Sequence, residues 1–232
     1  MGFNIAIDGP AGAGKSSVAK KCAAQLNFIY VDTGAMYRAI ALYLLRTGTD
    51  PENEQDLLKA LDEIEVEIAY EGDVQQIVLN GENVTGLIRT EEVSSMASKS
   101  SAKAAVRAKL DNLQLSLARR YDVIMDGRDI GTKILPNAQL KIYLTASVEA
   151  RAKRRYLENQ QKGIPGTLQE VEEDIRTRDE RDMNREVSPL RQAEDAILVD
   201  TSDMTIEQVV ETITGLARKR MEEKKWLNTR QD

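Results

Sequence analysis

Residues 9–16 read Gly9-Pro10-Ala11-Gly12-Ala13-Gly14-Lys15-Ser16. Glycines, a lysine and a hydroxyl at this spacing form the phosphate-binding loop G-x-x-x-x-G-K-S. The glycines let successive backbone N–H groups turn inward around phosphate oxygens. A helix starting after the loop adds its partial positive charge. In such a loop the lysine reaches the β- and γ-phosphates, and the hydroxyl ligates Mg²⁺. Those parts fall to Lys15 and Ser16.

Three further stretches carry charge where chemistry could use it. Asp32-Thr33-Gly34-Ala35-Met36-Tyr37-Arg38 follows an apolar run. Its Asp and Thr suit a helix cap, and Arg38, one turn in, can grip a phosphate bidentately. Taken alone, a surface ion pair is the commoner fate of such an arginine. Asp126-Gly127-Arg128-Asp129-Ile130-Gly131-Thr132 follows Val123–Met125, an apolar run ending in an acid that could serve Mg²⁺. The glycines flanking its charged pair suggest close ligand approach, though both could be turn residues. Arg176 to Arg185 alternates cations and anions, with Arg178 and Asp182 at i,i+4. By itself that is the pattern of a solvated helix.

Histidine is absent. Ser–His and Cys–His nucleophile pairs, His-based zinc sites and histidine bases are therefore excluded. Chemistry here must work by positioning and charge, which is how phosphoryl transfer works. No enzyme group is expected to titrate near neutrality unless a carboxylate is strongly shifted. Cys22, the sole cysteine, reads as a small buried core residue, and no intrachain disulfide can form.

The elements that must hold these residues alternate. Phe3–Ile7, Phe28–Val31, Val123–Met125, Leu140–Leu144 and Ile197–Val199 read as five short buried strands with helical patterns between them. That alternation predicts an α/β fold, a five-stranded parallel sheet flanked by helices, with ligands at the strand C-terminal ends. Ile64 to Val84 breaks the pattern with a period of two and the turns 71–73 and Asn80-Gly81, which predict a small antiparallel insert. That insert reads as either a decorative hairpin or a mobile substrate flap. Glu91 to Arg120 is helical with a break near Ser100-Ser101. Val148 to Gln161 is a basic helix stopped by Lys162–Gly166, Leu168 to Arg185 is helical, and a last helix from Thr205 runs into a charged, solvated end.

The 232 residues suit one domain, and 41% apolar content suffices for a core that 4% aromatic content makes mainly aliphatic. A net charge of −6 argues against a nucleic-acid partner. No basic leader precedes the first apolar run, and no stretch approaches the roughly 20 apolar residues of a membrane span. A cytoplasmic protein, with no membrane partner and monomeric by default, is expected.

GPAGAGKSS, VDTGAMYRA, MDGRDIGT and RTRDERDMNREVSPL, in this order from Phe3 to about Arg220, resemble bacterial cytidylate kinases, P-loop nucleoside-monophosphate kinases. The resemblance implies transfer of the γ-phosphoryl of ATP to CMP or dCMP with Mg²⁺. It implies one kinase domain, with residues 64–90 a monophosphate-binding insert and 151–166 a short lid. By the same resemblance Gly9, Pro10, Ala11, Gly12, Ala13, Gly14, Lys15, Ser16 and Ser17 bind ATP phosphates, and Arg151, Arg154 and Arg155 are lid candidates. Thr33, Arg38 and Arg128 would hold the acceptor phosphate. Ser98, Arg107 and Asp129 would read the cytosine. Arg178 and Asp182 would touch the pentose, and Arg185 would sit near the transferred group. Lys15, Arg128, Arg178 and Arg185 form the expected catalytic set.

That implication agrees with the physics. The acceptor phosphate is already anionic and needs no base. The obstacle is bringing two polyanions together in a dry site, which calls for several cations and for closure. The alternatives are a kinase for UMP and CMP or for dTMP, and a P-loop GTP-binding regulator. The regulator would need N-K-x-D for guanine, and a dTMP kinase usually carries D-R-[YFH]; both are absent.

Overall fold

Predominantly apolar residues put the central strands inside the protein, and strand alternation sends their side chains to two different cores. In the computed structural model, which describes residues 2–72 and 74–228, the chain runs β1 Asn4–Asp8, α1 Lys15–Leu26, β2 Ile29–Asp32, α2 Thr33–Thr47, α3 Glu54–Glu63, β3 Val66–Glu71, β4 Val74–Leu79, β5 Glu82–Asn83, α4 Glu91–Ser100, α5 Ala104–Arg120, β6 Val123–Gly127, a π-helical turn Ile130–Ile134, β7 Leu140–Thr145, α6 Val148–Gln161, α7 Leu168–Asn184, β8 Ile197–Asp200 and α8 Ile206–Asn228. Ile5 and Ile7 of β1 pack toward α1 and α8, while Ala6 faces α2 and α5.

The sheet has the order β2-β6-β1-β7-β8, with every neighbouring pair parallel. All five expected strands are present. They extend one or two residues further than the apolar runs, because Asp8, Asp32, Asp126 and Gly127 keep backbone pairing after the apolar pattern stops. Asp32 stands in register with Asp126, and Asp8 with Gly127. Three carboxylates thus end adjacent strands at one edge.

The insert is a three-stranded antiparallel sheet, β3-β4-β5. Asp73, in its expected turn, lies outside the described residues. The sheet does not stand free: Ile77, Leu79, Val84 and Ile88 are buried in the core that contains Met36, Ile40 and Leu44 of α2. The break near Ser100 separates α4 from α5, and the Thr167–Glu170 capping box starts α7. Sequence reading had not singled out α3 or the π-helical turn. None of the described helices is long and apolar enough to cross a membrane. Cys22 is buried, and burial pushes its thiol up to about 12, the inert core residue expected.

Candidate active site

β1 leads directly into the phosphate loop. A Cβ on Gly9 would lie 1.9 Å from the Leu144 carbonyl oxygen, so only glycine lets the chain leave the sheet there. Gly14, in the left-handed region at φ 82°, starts α1. Lys15 is buried and donates to the Pro10 carbonyl at 2.8 Å. Burial, reinforced by the Arg128 cation, lowers its ammonium to about 7. An arriving polyphosphate would reverse that shift.

Beneath the loop, Asp126 accepts from Ser16 Oγ at 2.7 Å and from the Tyr30 hydroxyl at 3.1 Å. Burial, then the nearby Asp32 charge, raises the Asp126 carboxyl to about 6. Asp8, also raised to about 6 by burial, accepts from the backbone of Ile130 and Gly131. Burial thus raises both carboxyls from 3.8 toward neutrality, the one exception that the absence of histidine left open.

Thr33 donates to the Asp126 carbonyl at 2.7 Å. Asp32 caps α2 by accepting from Ala35 N at 2.8 Å, as its sequence position suggested. The same carboxylate pairs with Arg38 at 3.2 Å and with Arg89 at 3.0 Å. Gln75 of β4 accepts from Asp32 N at 2.8 Å, and Tyr70 of β3 donates to the Tyr30 carbonyl at 3.1 Å. Two side chains thus fasten the insert to the end of β2.

The remaining charged candidates interlock. Arg107 binds Asp129 with both side chains buried, and its guanidinium lies 5.3 Å from the Tyr37 ring centre. Arg185 Nη2 stands 3.7 Å from Asp129 Oδ1, too far to hydrogen-bond. Arg128 donates to Asp182 at 2.7 Å. Burial alone would raise the Asp182 carboxyl, but the Arg128 guanidinium holds it below its usual range. Burial and a neighbouring cation push Arg178 and Arg185 below the ordinary arginine value; the cation is Arg128 for the former and Arg107 for the latter. Both groups remain charged, as arginines do in proteins. Arg38 Nε and Arg185 Nη2 are buried without a hydrogen-bond partner.

The lid candidates separate. Arg151 is turned inward: it donates to the Ala11 carbonyl at 2.9 Å and pairs with buried Asp179 at 2.7 Å, bracing the phosphate loop against α7. Arg154 bonds Thr201 and the backbone of Ser202. Arg155 is half exposed, 3.9 Å from Glu158. Ser98 accepts from Arg181, a residue outside this cluster, at 3.1 Å.

Sequence reading had not singled out Asp8, Gln75, Arg89 or Asp179. Asp8 follows an apolar run directly, the one signal that could have marked it. At Gly127 a Cβ would meet Ile130 at 2.7 Å and Thr33 at 2.9 Å, so the protein's own packing already requires a glycine there.

For Mg²⁺ the residues present are the Ser16 hydroxyl and the Asp126 carboxylate, hard oxygen donors already in contact. Among the described residues no cluster of three or more acidic, His or Cys ligands forms. The set fits Mg²⁺, which takes one or two protein oxygens and completes its shell with water and phosphate.

A phosphate loop on the central strand, facing a cage of arginines at the same sheet edge, defines a P-loop phosphotransferase. The cytidylate kinase family profile matches residues 5–219. The cytidylate kinase of Halalkalibacterium halodurans is 48% identical over 94% of this chain and 99% of its own length. That of Caldicellulosiruptor bescii is 48% identical over 94% of this chain and 96% of its own. A solved structure of an uncharacterized Eubacterium ventriosum protein aligns at TM-score 0.54 and 12% identity, over 93% of this chain and 98% of that one, and shows the fold alone. The chain belongs to the cytidylate kinase family.

Proposed function

We propose that this enzyme transfers the γ-phosphoryl group of ATP to CMP or dCMP, giving ADP and CDP or dCDP. The observation that carries this reading is the pair of buried, unpartnered donors, Arg38 Nε and Arg185 Nη2, beside an arginine cluster at the phosphate-loop edge. A buried N–H without an acceptor costs roughly 1–3 kcal/mol, which an anionic ligand there would recover.

In this reading Gly9 to Ser17 cradle the ATP phosphates, and Lys15 follows the charge of the γ-phosphoryl. Thr33, Arg38 and Arg128 hold the acceptor phosphate. One of its oxygens attacks the γ-phosphorus as the bond to the ADP oxygen breaks, so no proton need be removed first. Arg128, Arg178 and Arg185 screen the two anions and stabilise charge on the transferring group. Ser16, with Asp126 beside it, would hold Mg²⁺, which when bound neutralises charge on the β- and γ-oxygens. Asp129 accepts from the cytosine amino group, while Arg107 and Ser98 donate to the ring acceptors. Arg178 and Asp182 face the pentose. The lid, residues 151–166 with Arg155 on its exposed side, closes over the donor and excludes water. The protein works as a soluble cytoplasmic monomer.

A coupled ADP-release assay against CMP, dCMP, UMP, AMP and dTMP tests the proposal. CMP and dCMP should give the highest kcat/KM. A clear preference for UMP, AMP or dTMP overturns it.

A further inference from the structure

Asp8 ends β1 one residue before the phosphate loop and is buried. Its oxygens divide between two backbone donors: Oδ1 accepts from Ile130 N at 2.8 Å, and Oδ2 from Gly131 N at 2.7 Å. Those are the first two residues of the π-helical turn. The first N–H groups of a helical turn have no partner within it, and the preceding residue's side chain normally supplies one. Here that residue is Asp129, which makes no such bond. Its carboxylate faces Arg107 and Arg185 instead.

We propose that Asp8 is a positioning residue that caps this turn from another strand, freeing Asp129 to face the acceptor and fixing Arg128 and Asp129 in register with the phosphate loop. The inference rests on the reading that Arg128 and Asp129 serve the acceptor nucleotide. Two N–H groups converging on one side chain require two acceptors, which only a carboxylate provides at this length. An asparagine of the same shape would turn its amide hydrogens toward one of the donors. Burial of a carboxylate is unfavourable, and the price is a carboxyl raised to about 6, so at neutral pH Asp8 is ionised and accepts at both oxygens.

The test compares Asp8→Asn with Asp129→Asn in the full chain, each first shown to be folded by circular dichroism. Asp8→Asn should lower kcat/KM for CMP roughly tenfold, as expected for one lost hydrogen bond to a charged group. It should also reduce the CMP/UMP preference while leaving the ATP dissociation constant, read by calorimetry, unchanged. A general loss of packing would not produce that split. If Asp129→Asn changes the CMP/UMP ratio and Asp8→Asn does not, the role of Asp8 is overturned. If neither changes the ratio, the base-reading role of Asp129 fails, and Asp8 is judged on the split between CMP and ATP: equal losses overturn it, and a loss confined to CMP supports it. Amide exchange in the unmodified protein, followed by NMR, needs no variant. Slow exchange at Ile130 and Gly131 without substrate supports the cap, and fast exchange at both overturns it.

Discussion

Ser16 Oγ donates to Asp126 Oδ2 at 2.7 Å, tying the first turn of α1 to the end of β6. Tyr30 holds the other oxygen of the same carboxylate from β2. Three elements from separate parts of the chain thus fix one hydroxyl and one carboxylate below the phosphate loop before any nucleotide arrives. Groups held in place beforehand need no reorganisation when charge develops on a transferring phosphoryl, and that is the main source of rate in this kind of chemistry.

Lys15 is the clearest single test of that arrangement. Its ammonium is buried against the Pro10 carbonyl. Lys15→Ala should reduce kcat on the order of 10²-fold or more, as for removal of one key charge stabiliser. Single-turnover measurements separate this loss from product release. Turnover within a few-fold of the unmodified enzyme would remove Lys15 from the catalytic set.

The latch between insert and core makes a separate prediction. Gln75 bonds Asp32, whose carboxylate in turn holds Arg38 and Arg89. Gln75→Ala removes the contact and leaves Ile77 and Leu79 packed. KM for CMP should rise roughly tenfold, the effect of about 1.4 kcal/mol, with KM for ATP unchanged. Equal changes in both would make the latch structural only.

Base choice turns on Asp129. One oxygen engages Arg107, while Oδ1 is beyond hydrogen-bonding distance of Arg185 and free to accept. It can take a hydrogen bond from the cytosine amino group but repels the uracil carbonyl. In Asp129→Asn the amide can donate to that carbonyl. The CMP/UMP ratio of kcat/KM should fall, since a site built for a donor discriminates by leaving its acceptor unpaired. An unchanged ratio would confine Asp129 to bracing Arg107.

Much of this was legible in the sequence because the signals are local. The loop 9–16 needs only its own spacing, and the five strands announce themselves as short, predominantly apolar runs. The insert was legible from its period of two, but its attachment was not. Ile77 and Leu79 follow the same alternation whether their face meets α2 or solvent, and Gln75 carries no mark of its partner. The roles of Arg151 and Arg155 were equally hidden. They sit four residues apart on one basic helix, and only the position of Asp179, brought in by α7, decides which turns inward. Asp8 lay in plain view before the loop, but its duty depends on a turn more than a hundred residues away.

Those two arginines should respond differently to removal. Arg151→Ala leaves Asp179 as an uncompensated buried charge, with a loss of about 3–5 kcal/mol on denaturant unfolding. Arg155 is half exposed and its nearest carboxylate, Glu158, is 3.9 Å away. Arg155→Ala should change stability by less than about 1 kcal/mol, the range for exposed pairs. Its effect should appear instead as a higher KM for ATP. A large stability loss with unchanged ATP kinetics would exclude Arg155 from the donor site.

The buried carboxylate of Asp8 gives stability a pH dependence that one substitution isolates. Burial raises it from an ordinary 3.8 to about 6 in the folded protein. Between those values the folded state holds a proton that the unfolded state has released. Protonation therefore favours folding, and the contribution is fully present below pH 3.8 and lost as pH rises through about 6. A shift of this size corresponds to about 3 kcal/mol. Asp8→Asn cannot titrate. The unmodified protein's stability minus that of Asp8→Asn, from urea unfolding at a series of pH values, should fall by about that amount across this window and stay flat above it. Subtracting the two curves cancels the titrating groups that do not face Asp8 and leaves its own titration together with its charge coupling to Lys15 and Asp129. A difference independent of pH would mean that Asp8 keeps an ordinary carboxyl in the folded protein. A difference that grows with pH would mean that its two backbone hydrogen bonds outweigh burial and hold it below 3.8.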